Sequence, residues 1–275
     1  MQKNKLEAFQ IYLIEEEKSL LTIEKYMRDV KAFLCWLGNS ELNKKAVLSY
    51  KNELTEKYAI NSINSMLSSV NSYLVFVGRS DCRVKTLRLQ RSVYCAEEKE
   101  LTREEYKKLL QAAKNDKVLA LLMQTIAVTG IRVSEHRFIT VEAARNGKAE
   151  VRCKGKVRTI LIPRRLCKEL LGYAKKCGLR SGSIFLSRDG NPLHRSRIWA
   201  KMKKLCTAAG VLAEKVFPHN LRHLFARTFY AMEKDIVRLA DILGHSSMNT
   251  TRIYTIESGR VHRRQIEKMP LLYIT

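Results

Sequence analysis

Acidic residues are scarce in this chain. Only 27 Asp and Glu stand against 51 Lys and Arg, a net charge of +24 over 275 residues. An excess of that size points to a polyanionic partner. Long apolar runs are missing too. No stretch of 18 or more apolar residues occurs, which excludes a membrane-spanning helix. The start, Met1 to Glu7, has no continuous apolar segment of the signal-peptide kind. Seven cysteines make an odd set with no C-x-x-C pair. A disulfide framework and a zinc site are therefore not expected. Repeats and low-complexity tracts are absent. What is present is ordinary globular material, with 45% hydrophobic and 28% charged residues, enough to build cores. A cytoplasmic protein of about two domains is expected from its length.

The charge is unevenly placed. Residues 1–78 hold ten Lys/Arg and nine Asp/Glu, whereas residues 101–275 hold 35 and 14. The excess belongs to the second part, where a phosphate backbone accounts for it better than solubility does.

Helical periodicity organises residues 1–78. Leu6, Phe9 and Leu13 mark a first helix. Ile23, Tyr26, Val30, Phe33, Leu34 and Leu37 recur at three- and four-residue spacing and end at Gly38. A weaker helix covers 43–57. Ile63, Leu67, Val70, Tyr73, Leu74 and Val77 mark a fourth, with Asn61 or Ser62 as its N-cap and Gly78 as its stop. Residues 79–100 lack periodicity and read as an exposed basic linker in which Arg83, Lys85 and Arg88 can lie along DNA.

Thr102 to Glu105 reads as a capping box. Helices are expected at 103–114 and, almost wholly apolar, at 117–128, broken by Gly130. Residues 149–162 read as a hairpin turning at Lys154-Gly155-Lys156 and closed by Pro163. Residues 164–176 read as a helix and Ile184-Phe185-Leu186 as a short strand. Further helices are expected at 195–209, 219–232, 235–243 and 248–256.

Four clusters carry residues of chemical interest. Thr129-Gly130-Ile131-Arg132-Val133-Ser134-Glu135 puts Arg132 just past a buried helix. Lys154 sits at a hairpin tip. His219-Asn220-Leu221-Arg222-His223 opens a helix with His219 and Arg222 on one face. Leu243-Gly244-His245 follows a helix stop, and Tyr254 lies nine residues on. Singly, each has an ordinary explanation. Arg132 pairs with Glu135, a turn lysine is solvated, His219 caps a helix, and Tyr254 is one of eleven tyrosines.

Together, in this order and spacing, they resemble the tyrosine recombinase (phage integrase) family, and its compact, Xer-like members in particular. The resemblance covers most of the chain. It implies a mostly α fold with a small β-sheet. Residues 1–78 would form a helical N-terminal core-binding (SAM-like) domain, and residues 101–275 a mixed α+β catalytic domain with a C-terminal exchange tail. That tail holds Arg260, Arg263, Arg264 and Ile266, then Leu271, Leu272 and Ile274, and would dock on a neighbouring subunit or fold back on its own domain. One departure is His136, where relatives commonly carry an apolar residue, and it is expected to cost packing or to be partly exposed.

The activity implied is site-specific recombination of double-stranded DNA by a homotetramer, through a 3′-phosphotyrosine and a Holliday junction, without metal or other cofactor. Tyr254 would be the nucleophile. Arg132 and Arg222 would clamp the non-bridging oxygens, and His245 would donate a further hydrogen bond. His219 would accept the tyrosine proton and Lys154 would protonate the leaving oxygen. Resemblance favours Lys154 over Lys156 for that step, leaving Lys156 to contact DNA. Glu135 would hold Arg132 or the hairpin in place, and His223 would pack beneath the site. Arg195, Arg197 and Lys201 would brace DNA from their helix. A non-catalytic DNA-binding regulator on the same scaffold has no need of an aligned tyrosine. A topoisomerase IB-like relaxing enzyme would share the chemistry and differ only in partner exchange.

Overall fold

The computed structural model describes residues 2–88, 100–153, 156–245, 247–254 and 267, without the side chains of 2–4, 153, 156 and 249. The chain divides into two compact units, Met1–Arg91 and Ser92–Thr275.

The first unit is a helical bundle of α1 (Gln2–Glu15), α2 (Leu20–Leu37), α3 (Lys44–Lys57) and α4 (Ile60–Phe76). Its apolar stripes meet in one core around Phe9, Leu13, Val30, Phe33, Leu67 and Leu74. Ser19 caps α2 through Thr22 N–H and Asn43 caps α3 through Ala46 N–H. The start of α4 differs from expectation. The helix begins at Ile60 after Ala59, which offers no side-chain cap, so Asn61 and Ser62 lie inside its first turn.

The exposed linker expected at 79–100 needs correction in its first part. A 3₁₀ turn, Ser80–Cys82, follows α4, and Cys82 and Val84 are buried in the first core. Asn71 donates to Val84 O (2.8 Å) and accepts from Val84 N–H (3.0 Å). Asn64 does the same for Leu87, at 2.9 and 2.7 Å. Two side-chain amides thus replace a strand partner for backbone that has none. Such pairing has no periodic signature in sequence. Residues 89–99 lie outside the described residues.

In the second unit Thr102 and Glu105 form the expected capping box at the head of α5 (Arg103–Ala112). The apolar helix α6 (Lys117–Thr129) is buried, packing against α8 (Arg164–Lys176), α9 (Arg195–Ala209) and α10 (Pro218–Glu233). Between α6 and the sheet come a 3₁₀ segment, Val133–Phe138, and a short helix, α7 (Val141–Asn146). The sheet is a two-stranded antiparallel ribbon, β1 (Lys148–Cys153) and β2 (Lys156–Leu161), whose ladder ends on the Cys153–Lys156 pair. The strand expected at 184–186 is not formed. Only isolated bridges, Thr140 with Ser183 and Leu186 with Pro192, are made there. Ile184 and Phe185 are fully buried, so their apolar character reflects core packing. The chain then runs through α11 (Ile236–Leu243), α12 (Met248–Thr251) and a 3₁₀ turn, Arg252–Tyr254. The expected tail lies outside the described residues.

Candidate active site

Two helix ends build the centre of the site. Helix α6 stops at Gly130, which is left-handed (φ +65°). A Cβ there would lie 2.4 Å from the Phe225 ring, so glycine is required both by backbone and by contact. Helix α11 stops at Gly244 (φ +64°), with Gly244 N–H on Asp241 O and His245 N–H on Ala240 O, both 3.0 Å. That pairing is a Schellman closure, and it turns His245 into the site.

Arg222, in the second turn of α10, reaches both ends. Its Nη1 donates to Gly130 O (2.6 Å) and its Nη2 to Leu243 O (2.8 Å). Arg222 as a whole is only 1% exposed. Carbonyls at two helix C-termini carry partial negative charge and suit a cation. Among the described residues no carboxylate reaches Arg222. Burial first, then the charge of Arg132, push its pKa down to about 10, against the pull of the Tyr254 phenol beside it. It therefore stays cationic at neutral pH with its charge uncancelled.

Arg132 follows α6 and is oriented by Glu135, whose Oε1 accepts from Arg132 Nη1 (3.0 Å) and whose Oε2 accepts from Arg132 N–H (2.8 Å). Burial works to raise the pKa of Glu135, but the Arg132 N–H, the Arg158 charge and the Arg132 guanidinium hold it below the usual carboxylate range. The Arg132 side chain remains 42% exposed.

His245 Nε2 lies 3.0 Å from Arg222 Nη2, and its Nδ1 lies 2.8 Å from Thr251 Oγ1. An arginine N–H only donates, so Nε2 accepts and the ring proton sits on Nδ1, donating to Thr251. Burial and the charges of Arg222, Arg132 and Arg158 lower its pKa to about 4, consistent with a neutral ring.

Tyr254 is 4% exposed and joins a small apolar cluster with Ala226, Leu239 and Leu243. Its ring stacks on His245 (centroids 5.9 Å apart, 18° between planes) and meets His223 edge-on at 4.8 Å. The phenol thus stands beside Arg222 of its own chain.

The histidines refine expectation. His219 opens α10 and contacts His223 at 4.6 Å, but no described hydrogen bond or ring contact joins it to Tyr254. His223, one turn further along, touches both rings, and its Nε2 is buried without a partner. Desolvation, then the charges of Arg222, Arg132 and Arg195, lower the His219 pKa. Burial, His219 and Arg222 bring His223 down to about 4. His136 is not partly exposed: it is 4% exposed, with Nδ1 2.7 Å from Val133 O.

Lys154 lies outside the described residues, and so does the side chain of Lys156. Arg195 and Arg197 are exposed at the head of α9, and Arg83, Lys85 and Arg88 are exposed in the first unit. Lys201 is engaged by Asp116 Oδ2 at 2.7 Å, so it is less free to meet DNA than its two neighbours. Sequence reasoning missed Arg158 and Thr251. Arg158 is in phase with buried Ile160 along β2, and a charge at an inward strand position is a readable signal. Thr251 carries no such signal.

Residues 99–259 match the Phage integrase family and residues 6–80 its N-terminal SAM-like domain. The chain is 30% identical to the tyrosine recombinase XerA of Pyrococcus furiosus over 97% of this chain and 94% of that one. The crystal structure of a XerA recombinase aligns over 99% of this chain and all of that one, with 26% identity and a TM-score of 0.54. A lambda integrase dimer bound to a core site has the same fold, at 20% identity, a TM-score of 0.74 and 99% coverage of both chains. With the arginine pair, His245 and Tyr254 gathered at one place, the chain belongs to the phage integrase family and is a tyrosine-type site-specific DNA recombinase.

Proposed function

We propose that this chain cuts and rejoins specific sites in double-stranded DNA, in the cytoplasm, as a homotetramer on two synapsed sites. The observation that carries the reading is Arg222. It is a buried cation held by two carbonyls and the neutral His245 ring, with no carboxylate on it among the described residues, and with Arg132 and the Tyr254 phenol beside it. A buried charge without a counter-ion favours an anionic ligand, and a phosphodiester supplies both the charge and the electrophile.

In this reading Arg132 and Arg222 hold the non-bridging oxygens, where charge accumulates in the transition state. Tyr254 Oη attacks phosphorus, and its proton passes to a nearby imidazole. His223 is nearer than His219 for that step, because it contacts the phenol ring. The 5′-oxygen departs with a proton from Lys154, leaving a 3′-phosphotyrosine and a 5′-hydroxyl. A 5′-hydroxyl from the partner duplex then attacks that phosphotyrosine, and a second round resolves the Holliday junction. Each step exchanges one phosphoester for another, so no high-energy cofactor is consumed.

His245 begins in the wrong state to donate, since Nε2 accepts from Arg222. An arriving phosphate brings negative charge, which favours the protonated ring and lets Nε2 donate to an oxygen.

The test is covalent capture. Nicked duplexes with a randomised centre are incubated with the protein, and SDS-resistant adducts are collected over repeated rounds. The unaltered chain is expected to enrich one sequence. Tyr254→Phe should bind that duplex and form no adduct, and adduct formation by this variant would reassign the nucleophile.

A further inference from the structure

Arg158 sits on β2 with its side chain only 15% exposed. Its guanidinium makes two contacts across the site. Nη2 donates to Glu135 Oε2, and Nη1 donates to Ile242 O at 2.7 Å, near the end of α11. Its stem lies under Gly244, where a Cβ would come within 2.5 Å of Arg158 Cδ. The side chain therefore joins three pieces: the hairpin strand, the acid that orients Arg132, and the helix end that presents His245.

The effect on Arg132 follows from donor counting. Glu135 has two oxygens. Oε2 is filled by the Arg132 N–H and by Arg158, which leaves Oε1 for one Arg132 N–H. A parallel two-bond pair between Arg132 and Glu135 would be stronger, but it would spend Arg132 on a protein carboxylate. With Arg158 in place, Arg132 is oriented by one side-chain bond to the carboxylate and a long one, 3.5 Å, from Nη2 to Gly244 O, and keeps its remaining N–H groups for solvent or a phosphate.

We infer that Arg158 is a positioning residue for strand cleavage, holding Glu135 so that Arg132 is aimed yet free to bind a phosphate, and tying the hairpin to the turn that carries His245. This rests on the reading above that Arg132 clamps the scissile phosphate.

A double-mutant cycle tests it, using the duplex enriched by covalent capture on the unaltered chain. Rates of adduct formation, DNA affinity and melting temperature are measured for Arg158→Gln, Glu135→Gln and the double variant. Arg158→Gln is expected to bind DNA normally and cut about 10²-fold slower, the effect of losing one aligned donor to the phosphate. Because both residues act on Arg132 together, the double variant should be no slower than the worse single one. Independent, multiplying losses or an unchanged rate for Arg158→Gln would overturn the inference. If Arg158→Gln does not fold, Arg158→Lys takes its place in the same cycle. It keeps the charge but lacks the fork that spans Glu135 and Ile242, and the same non-multiplying loss is expected.

A 5′-bridging phosphorothiolate separates the routes. Its sulfur leaves without a proton donor, so it should restore Lys154→Ala and leave Arg158→Gln slow. Recovery of Arg158→Gln would overturn the route through Arg132. Failure of Lys154→Ala to recover would move the acid elsewhere and leave the cycle intact.

Discussion

Asp29 in the first unit and Arg222 in the second are both buried charges, and the two are handled in opposite ways. In the first unit Asp29 is 3% exposed and fully surrounded. Lys25 pairs with Oδ2 and also donates to Ser65 O, Ser69 Oγ donates to Oδ2 at 2.9 Å, and Arg28 reaches Oδ1. The network is closed, joining α2 to α4, and nothing in it asks for a ligand. In the second unit Arg222 is as deeply buried but meets carbonyls, a neutral imidazole and the Tyr254 phenol, and no carboxylate among the described residues. A closed network fixes how helices pack. An open cation stores a preference for an anion. The contrast separates a scaffold from a site more sharply than burial or charge alone.

The largest expected effect tests the asymmetry of charge between the units. DNA affinity of the full chain should fall about 10³–10⁵-fold between 50 and 200 mM salt if 6–10 phosphates are contacted. Each phosphate contact removed lowers the slope of log affinity against log salt by about 0.9. Arg195→Ala with Arg197→Ala, in the second unit, is expected to flatten that slope more than Arg83→Ala with Arg88→Ala in the first. Equal flattening would mean that both units track the backbone alike.

Next come the buried charges themselves. Arg222→Gln should cut about 10²–10³-fold slower per folded molecule, the usual cost of an aligned oxyanion donor. Its effect on melting temperature should be the smaller of the two. Asp29→Ala should do the reverse. Breaking a buried pair costs about 3–5 kcal/mol, and because Lys25 is 31% exposed about 2 kcal/mol is expected, with an unchanged cleavage rate in the molecules that remain folded. Calorimetry beside single-turnover adduct assays reads both. A cleavage defect in Asp29→Ala would erase the distinction.

The first unit was legible because its signal is periodic. The stripe from Ile23 to Leu37 and that from Ile63 to Leu74 fall on one helical face each, and those faces are buried. The capping box at Thr102 and the stops at Gly38 and Gly130 were equally readable, since their chemistry is local. The site was legible only through order and spacing of Arg132, the His219–His223 run, His245 and Tyr254. What escaped was long-range. Asn64 and Asn71 hold the 79–88 strap through backbone pairs that leave no pattern. Thr251 matters only because α12 brings its hydroxyl to His245. The resemblance makes His219 the acceptor of the tyrosine proton, but His223 lies four residues on along the same helical face and meets the phenol ring edge-on.

The last effect is spread over a range of pH rather than switched by one substitution, and it again divides the two units. His223 has a pKa of about 4 in the folded chain, chiefly through burial, against about 6.5 for an unperturbed histidine. Between those values the unfolded chain binds the proton and the folded chain does not, so acidification favours unfolding. The stability this neutral ring contributes is fully present above about pH 6.5 and is lost as pH falls toward 4, on the order of 3 kcal/mol. His245 is lowered in the same direction but is more open to solvent and should contribute less. The described part of the first unit contains no histidine. Melting followed by tyrosine and tryptophan signals from the two units should therefore show the second unit losing stability over pH 6.5 to 4 while the first changes less. Occupation of the site by DNA opposes the loss, because a phosphate beside Arg222 offsets the cationic neighbours that keep His245 and His223 neutral. A His223→Phe chain keeps the edge-on contact with Tyr254 and removes the titration. Its second unit should show a flatter pH response, and an undiminished response would assign the acid sensitivity to groups other than His223.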